Sequence, residues 1–133
     1  MKLRKISPSL LIMAAISLAA PVFAEKIGVT FSGDDTLGPA ISTALKADGH
    51  EIVNIASAAK GVKLDSVAAA SIGKSTGAEI IVSGKKLGSV IVLKVLSTKN
   101  DTVAGGTCPA GDAAAATKKV KSILADNLTK MSK

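Results

Sequence analysis

The residues able to do chemistry are few and scattered. The chain holds one histidine, His50, and one cysteine, Cys108. A thiolate and an imidazole act together only within hydrogen-bond reach, with an acid orienting the base. Glu51 follows His50 directly, and in a strand neighbouring side chains point to opposite faces. No spacing brings Cys108 to His50, so His50 is read as a structural or solvated residue opening a strand. Residues 68–75, Ala-Ala-Ala-Ser-Ile-Gly-Lys-Ser, fit a loose phosphate-binding loop. That chemistry needs a flexible glycine loop between strand and helix. The alanines read instead as helix interior, with Gly73-Lys74 near the helix end. Asp34-Asp35, flanked by Ser32 and Thr36, offers oxygens to a cation. Calcium asks for about six to eight oxygens in a dedicated loop, and acids at a helix start are explained by capping. No catalytic set, metal set or cofactor loop emerges.

Cys108 has two readings. A lone cysteine in an exported chain invites an intermolecular disulfide, here a homodimer through Cys108, as the second of the two readings. Free cysteine also serves as a small buried apolar residue. Its place between a weak strand and a Pro-Gly loop is compatible with exposure, but the buried reading is preferred.

The export reading comes from the start of the chain. Lys2, Arg4 and Lys5 precede an apolar run over about residues 10–20, and Val22-Phe23-Ala24 closes it with small residues. This is the pattern of a cleavable signal peptide over residues 1–24. The run is shorter than the ~20 residues that span a bilayer, and no later run is as long. The expected mature chain, residues 25–133, is periplasmic or secreted, with no transmembrane segment after cleavage.

That mature chain of 109 residues carries 14 lysines against 10 acids, a net +4. It has no arginine and one aromatic, Phe31. Nucleic-acid readers rely on arginine forks and stacking aromatics, so no nucleic-acid partner is expected. The lysines Lys118, Lys119 and Lys121 read as a solvated helix face. With one cysteine, no internal disulfide forms, yet about a hundred residues can bury a core in a single domain.

The elements follow from periodicity. Residues 26–31 alternate as a strand; a helix carries Leu37, Ile41, Ala44 and Leu45 on one face and ends at Gly49. Residues 50–54 form a second strand, and residues 56–63 a loop. Asp65 caps a second helix with Val67, Ala68, Ser71 and Ile72 inward, closed by Gly77. Residues 78–84 form a third strand and 89–96 a fourth, apolar on both faces and so expected to be covered on both. After a turn at Lys99-Asn100-Asp101, residues 102–107 make a weak fifth strand, broken by Gly105-Gly106, a sign of a bulge or an edge. The last helix carries Ala113, Ala116, Val120, Ile123, Leu124, Leu128 and Met131. The order βαβαβββα predicts an α/β (α+β) fold, a mixed sheet of about five strands with three helices.

Residues 64–106 follow a characteristic rhythm. A small-residue helix leads into Gly77-Ala78-Glu79-Ile80-Ile81-Val82-Ser83-Gly84, then a turn, an apolar strand and a short strand. This resembles the small α/β domain at the N-terminus of TolB, in curli secretion proteins of the CsgG kind, and in lipoprotein activators of penicillin-binding proteins. The chain departs from them in lacking a lipobox cysteine, a propeller after residue 133 and paired barrel-length strands. The resemblance implies the scaffold and a role in the bacterial envelope through binding other proteins, with no catalytic residue carried over.

The expected function is a non-enzymatic, protein-binding module of envelope assembly or maintenance, with no cofactor. Its partner surface is placed on the weak fifth strand, Thr102, Val103, Ala104, Gly105, Gly106 and Thr107, which would accept a partner's strand through backbone hydrogen bonds. The alternative is a small-ligand or stress-related binding protein using the loop from Ser32 to Thr36 at a helix start.

Overall fold

The computed structural model describes residues 25–33 and 35–131. The signal-peptide segment and Asp34 lie outside them. The elements are β1 (Lys26–Ser32), α1 (Leu37–Ala47), β2 (Glu51–Val53), α2 (Ala56–Ala59), α3 (Ser66–Thr76), β3 (Ile80–Leu87), β4 (Val90–Ser97), β5 (Val103–Pro109) and α4 (Ala113–Met131). One mixed sheet runs β2-β1-β3-β4-β5. β1 pairs parallel with β2 and β3, whereas β3, β4 and β5 pair antiparallel. The helical crossovers and late hairpins dictate that mixture.

The fold is the expected mixed α+β sheet, with one more helix. The short α2 replaces part of the expected loop over residues 56–63. Asn54 Oδ1 accepts the Ala56 N–H at 3.0 Å, an Asx turn leading into the helix. Ile55 then buries itself against Gly28, where an added Cβ would lie 2.5 Å from Ile55 Cγ2. The β3–β4 connection also tightens to Gly88-Ser89, with Gly88 at φ +64°, so Lys85 and Lys86 belong to β3.

The first sheet face is covered by α1 and α4. Ile27, Ile80, Val82, Ile91, Leu93 and Val95 meet Leu37, Ile41 and Leu45 of α1 and Ala116, Val120, Ile123, Leu124, Leu128 and Met131 of α4. Both helical stripes follow the predicted period. Asp112 Oδ1 accepts the Ala115 N–H at 2.9 Å and starts α4.

The second face is covered only at one end. Ile55, Ala59, Ala69, Ile72 and Ala78 pack on Ile81 and Leu96. Asp65 caps α3 as expected, accepting from Ala68 N–H at 2.8 Å, and Gly77 closes it at φ +85°. The buried stripe of α3 is Ala69 and Ile72, while Val67 stands 80% exposed. In a helix of alanines and serines the apolar phase is weakly marked. Gly73 sets it, because an added Cβ there would lie 2.5 Å from Thr98 Cβ.

Candidate functional site: the open half-face and its edge strand

Past the row of Ile81 and Leu96, no helix among the described residues covers the second face of the sheet. Register arranges the side chains there in cross-strand rows. Thr30 pairs with Ser83, Ser83 with Lys94, and Lys94 with Gly105. The next row is Ser32, Lys85, Val92 and Thr107, and beyond it Leu87 meets Val90 and Val90 meets Pro109. Leu87, Val90, Val92 and Val103 are all exposed, at 51%, 40%, 36% and 47%. β4 is therefore covered on both faces only around Leu96, not along its length as its apolar pattern predicts. Lys94 and Lys85, in successive rows past Leu96, are the sequence signal that this half stays open.

The segment between α2 and α3 forms one wall beside these rows. Together they enclose an open groove of about 520 Å³. Lys63, Lys85 and Lys94 line it with Thr30, Ser32 and Ser83 and with the apolar Ala59, Val62, Leu64, Leu87 and Val92. Among the described residues no acid lines it. Lys94 Nζ donates to the Leu64 carbonyl at 3.1 Å, tying the floor to the wall and leaving further ammonium donors for a ligand. Ser83 Oγ donates to the Lys94 carbonyl at 3.4 Å.

β5 borders this face as an edge strand. The Ser97 N–H donates to Thr102 O at 3.0 Å, and the Ala110 N–H to Ser89 O at 2.9 Å. Hydrogen-bonded pairs alternate along an antiparallel ladder. Ala104, Gly106 and Cys108 therefore turn their backbone groups to β4, and Val103, Gly105 and Thr107 turn theirs outward. Pro109 falls on an outward position, where a missing N–H costs the ladder nothing. The opposite edge, β2, has three residues, the short form that blunts an edge. The glycine pair makes no bulge, since the register with β4 is continuous. Gly106 instead admits α4: an added Cβ would lie 2.6 Å from Lys119 Cε.

Cys108 takes the buried of its two readings. It lies inside β5, not in a loop, and its side chain joins the core of the first face at 6% exposure. Burial first, and Asp112 second, push its thiol above the ordinary value, with Lys119 opposing. The accessible thiolate that an intermolecular disulfide requires is not presented by this arrangement.

His50 precedes β2 and is half-buried; its Nδ1 accepts the Glu25 N–H at 3.2 Å. β2 and β5 are opposite edges of the sheet, four strand spacings or ~19 Å apart. His50 and Cys108 are thus not brought together. A second hollow of about 350 Å³ lies beside His50 among Leu45, Leu124 and Leu128, with the Lys121–Asp48 ion pair at its rim, 3.3 Å. Residues 68–75 lie within and at the end of α3, so they form no phosphate loop. Asp35 is exposed before α1, whose N-cap position is Thr36. Among the described residues no three His, Cys, Asp or Glu side chains gather as a metal site, and no helix is long and apolar enough to cross a membrane.

No protein-family model matches the chain, and no curated protein does. Among solved structures, TolB from Acinetobacter baumannii is similar in fold, with a TM-score of 0.57 at 16% identity. The likeness covers 80% of this chain and 29% of that one, so this chain spans less than a third of the TolB chain it resembles. It carries the scaffold: the TolB-like part of the expected resemblance is seen in the fold.

Proposed function

We propose that this chain is a non-enzymatic protein-binding module of the bacterial envelope, exported by its signal peptide and docking another envelope protein along β5. The observation that carries the reading is the open edge itself. Val103, Gly105 and Thr107 direct unpaired backbone groups outward, beside an uncovered apolar half-face. Strand addition draws its affinity from such backbone groups and its specificity from alternate side chains. It needs no arginine or aromatic anchor, which suits a chain whose described part has only Phe31. The resemblance read from the sequence implies such binding, and the likeness to TolB supports its scaffold.

The test is crosslinking of the tagged protein in its native envelope, followed by mass spectrometry. A reproducible large partner is expected. Thr107→Pro removes an outward donor while keeping the ladder to β4, and should abolish that capture. Undiminished capture by a folded Thr107→Pro variant would refute edge pairing.

A further inference from the structure

We infer that the groove between the open half-face and the α2–α3 segment receives an acidic amphipathic segment of a protein partner, its carboxylates meeting Lys63, Lys85 and Lys94. The inference rests on the reading of the chain as a protein-binding module and names what that module recognises.

Charge complementarity chooses the occupant. Among the described residues three lysines and no acid line the groove. Lys63 and Lys85 are exposed, and Lys94 is half-buried with its ammonium held at 3.1 Å from the Leu64 carbonyl. The nearest acid in sequence, Asp65, already accepts the Ala68 N–H. Ser32 and Thr30 add hydroxyls on the same side. An anionic ligand finds paired charges there, whereas a cationic one meets three like charges, a mismatch that costs affinity and orientation.

The apolar residues extend the argument from anion to polypeptide. Leu87 and Val92 line the groove, and the exposed Val90 continues their apolar surface beyond it. A small anion would use the lysines and leave that surface bare. The first face shows what completes such a sheet: amphipathic helices, α1 and α4, each bury an apolar stripe on it. Among the described residues the open half-face lacks that layer. Crossing from β1 to β5 takes three strand spacings, ~14 Å, which a helix of about ten residues spans. A segment with an apolar stripe and flanking carboxylates supplies both halves of the match.

The test uses defined probes on the intact mature chain. Two synthetic peptides of about 18 residues, long enough to populate a helix, share one leucine stripe and carry either glutamates or lysines elsewhere. Binding is followed through backbone amide shifts in NMR. The acidic peptide should bind on the order of tenfold more tightly, moving Ser83, Lys85, Val92 and Lys94. The double variant Lys63→Glu/Lys85→Glu changes only exposed positions and should erase that preference. Equal binding of the two peptides, or shifts confined to other surfaces, overturns the inference. Inorganic phosphate or laurate reproducing the same shifts with the same charge sensitivity would assign the groove to a small anion and overturn the peptide occupant. Concentration-dependent self-association lost in the double variant would assign it to a second copy instead. Lys63→Glu/Lys85→Glu leaves the outward backbone groups of β5 in place and should spare edge capture, so failure of edge pairing and failure of the groove are separate results.

Discussion

The hydroxyl of Ser97 donates to the Met131 carbonyl at 2.8 Å, and both residues are fully buried. Ser97 Oγ also accepts the N–H groups of Lys99 at 3.1 Å and Asn100 at 3.3 Å. Asn100 Nδ2 then donates to Lys130 O at 2.9 Å. The β4–β5 turn thereby caps the end of α4, whose last carbonyls have no partner within the helix. Ser97→Ala leaves a buried carbonyl and two turn amides short of a partner. It should lower unfolding free energy by about 1–3 kcal/mol, read as a fall in the urea midpoint. An unchanged midpoint would mean that the turn repacks without the hydroxyl.

Much of this scaffold is legible in the sequence because its signals are local. The 3.6-residue stripe of α4, the Asp65 cap and the left-handed glycines after α1 and α3 each depend on a few adjacent residues. Cys108 and the open half-face depend on distant ones. Whether Cys108 is buried is decided by how α4 lies across β5, and Gly106 permits that approach. Whether Val90 and Val92 are covered is decided by how far α2 and α3 reach across the sheet, which their own composition does not encode. The edge position of β5 was readable from its glycines, but for another reason: they admit a helix and break no ladder.

Glu79 links the start of β1 to the β4–β5 turn and should give the fold an acid-sensitive contact. Its carboxylate accepts the Lys26 N–H at 3.0 Å and pairs with Lys99 at 2.9 Å. The Lys26 hydrogen bond, then Lys99, holds its pKa below the ordinary 4.5 against the opposing effect of burial. A lowered folded pKa stabilises the charged form. The contribution is complete above the unfolded value and fades as pH falls through the folded one. Glu79→Gln should therefore flatten the acid limb of the stability curve below about pH 5, and cost at most about 1 kcal/mol near neutrality. Parallel acid limbs in the two proteins would discard this assignment.

Cys108 should resist thiol reagents in the folded protein. Its side chain is buried and its raised pKa disfavours the thiolate, the reactive form. Ellman's reagent at pH 8 should label it only as fast as the fold opens, and at once in guanidinium. Cys108→Ser should destabilise by about 1–3 kcal/mol through a buried hydroxyl lacking a partner. Immediate native labelling, or a dimer that separates on reduction, would restore the disulfide reading.

Gly73 should reverse the usual effect of glycine in a helix. Replacing an interior glycine by alanine ordinarily gains about 1 kcal/mol. Here the new Cβ would meet Thr98 Cβ at 2.5 Å, while Thr98 is held by its hydroxyl to Ala78 O at 2.8 Å and Glu79 O at 3.0 Å. Gly73→Ala should lower stability by about 1–3 kcal/mol, the usual cost of overpacking. Thr98→Gly should recover part of that loss in the double variant, because it removes the clashing atom. Additive losses would show that the approach of α3 to the turn is not the constraint.

Two prolines placed one side apart on β5 separate a ladder from an edge. Ala104 turns its N–H to β4, so Ala104→Pro removes an internal hydrogen bond and sets the ring against its neighbour strand, a loss of about 3 kcal/mol or more. Thr107 turns its N–H outward, as Pro109 already would, and Gly106 before it tolerates the restriction that proline imposes. Thr107→Pro should leave the thermal midpoint within a few degrees of the parent, a shift of under about 1 kcal/mol. Amide exchange gives the same contrast: in the parent, Ala104 and Gly106 should exchange slowly and Gly105 and Thr107 fast. Slow exchange at Thr107 in the isolated chain would mean that its N–H has a partner, and the outward register of β5 would be wrong.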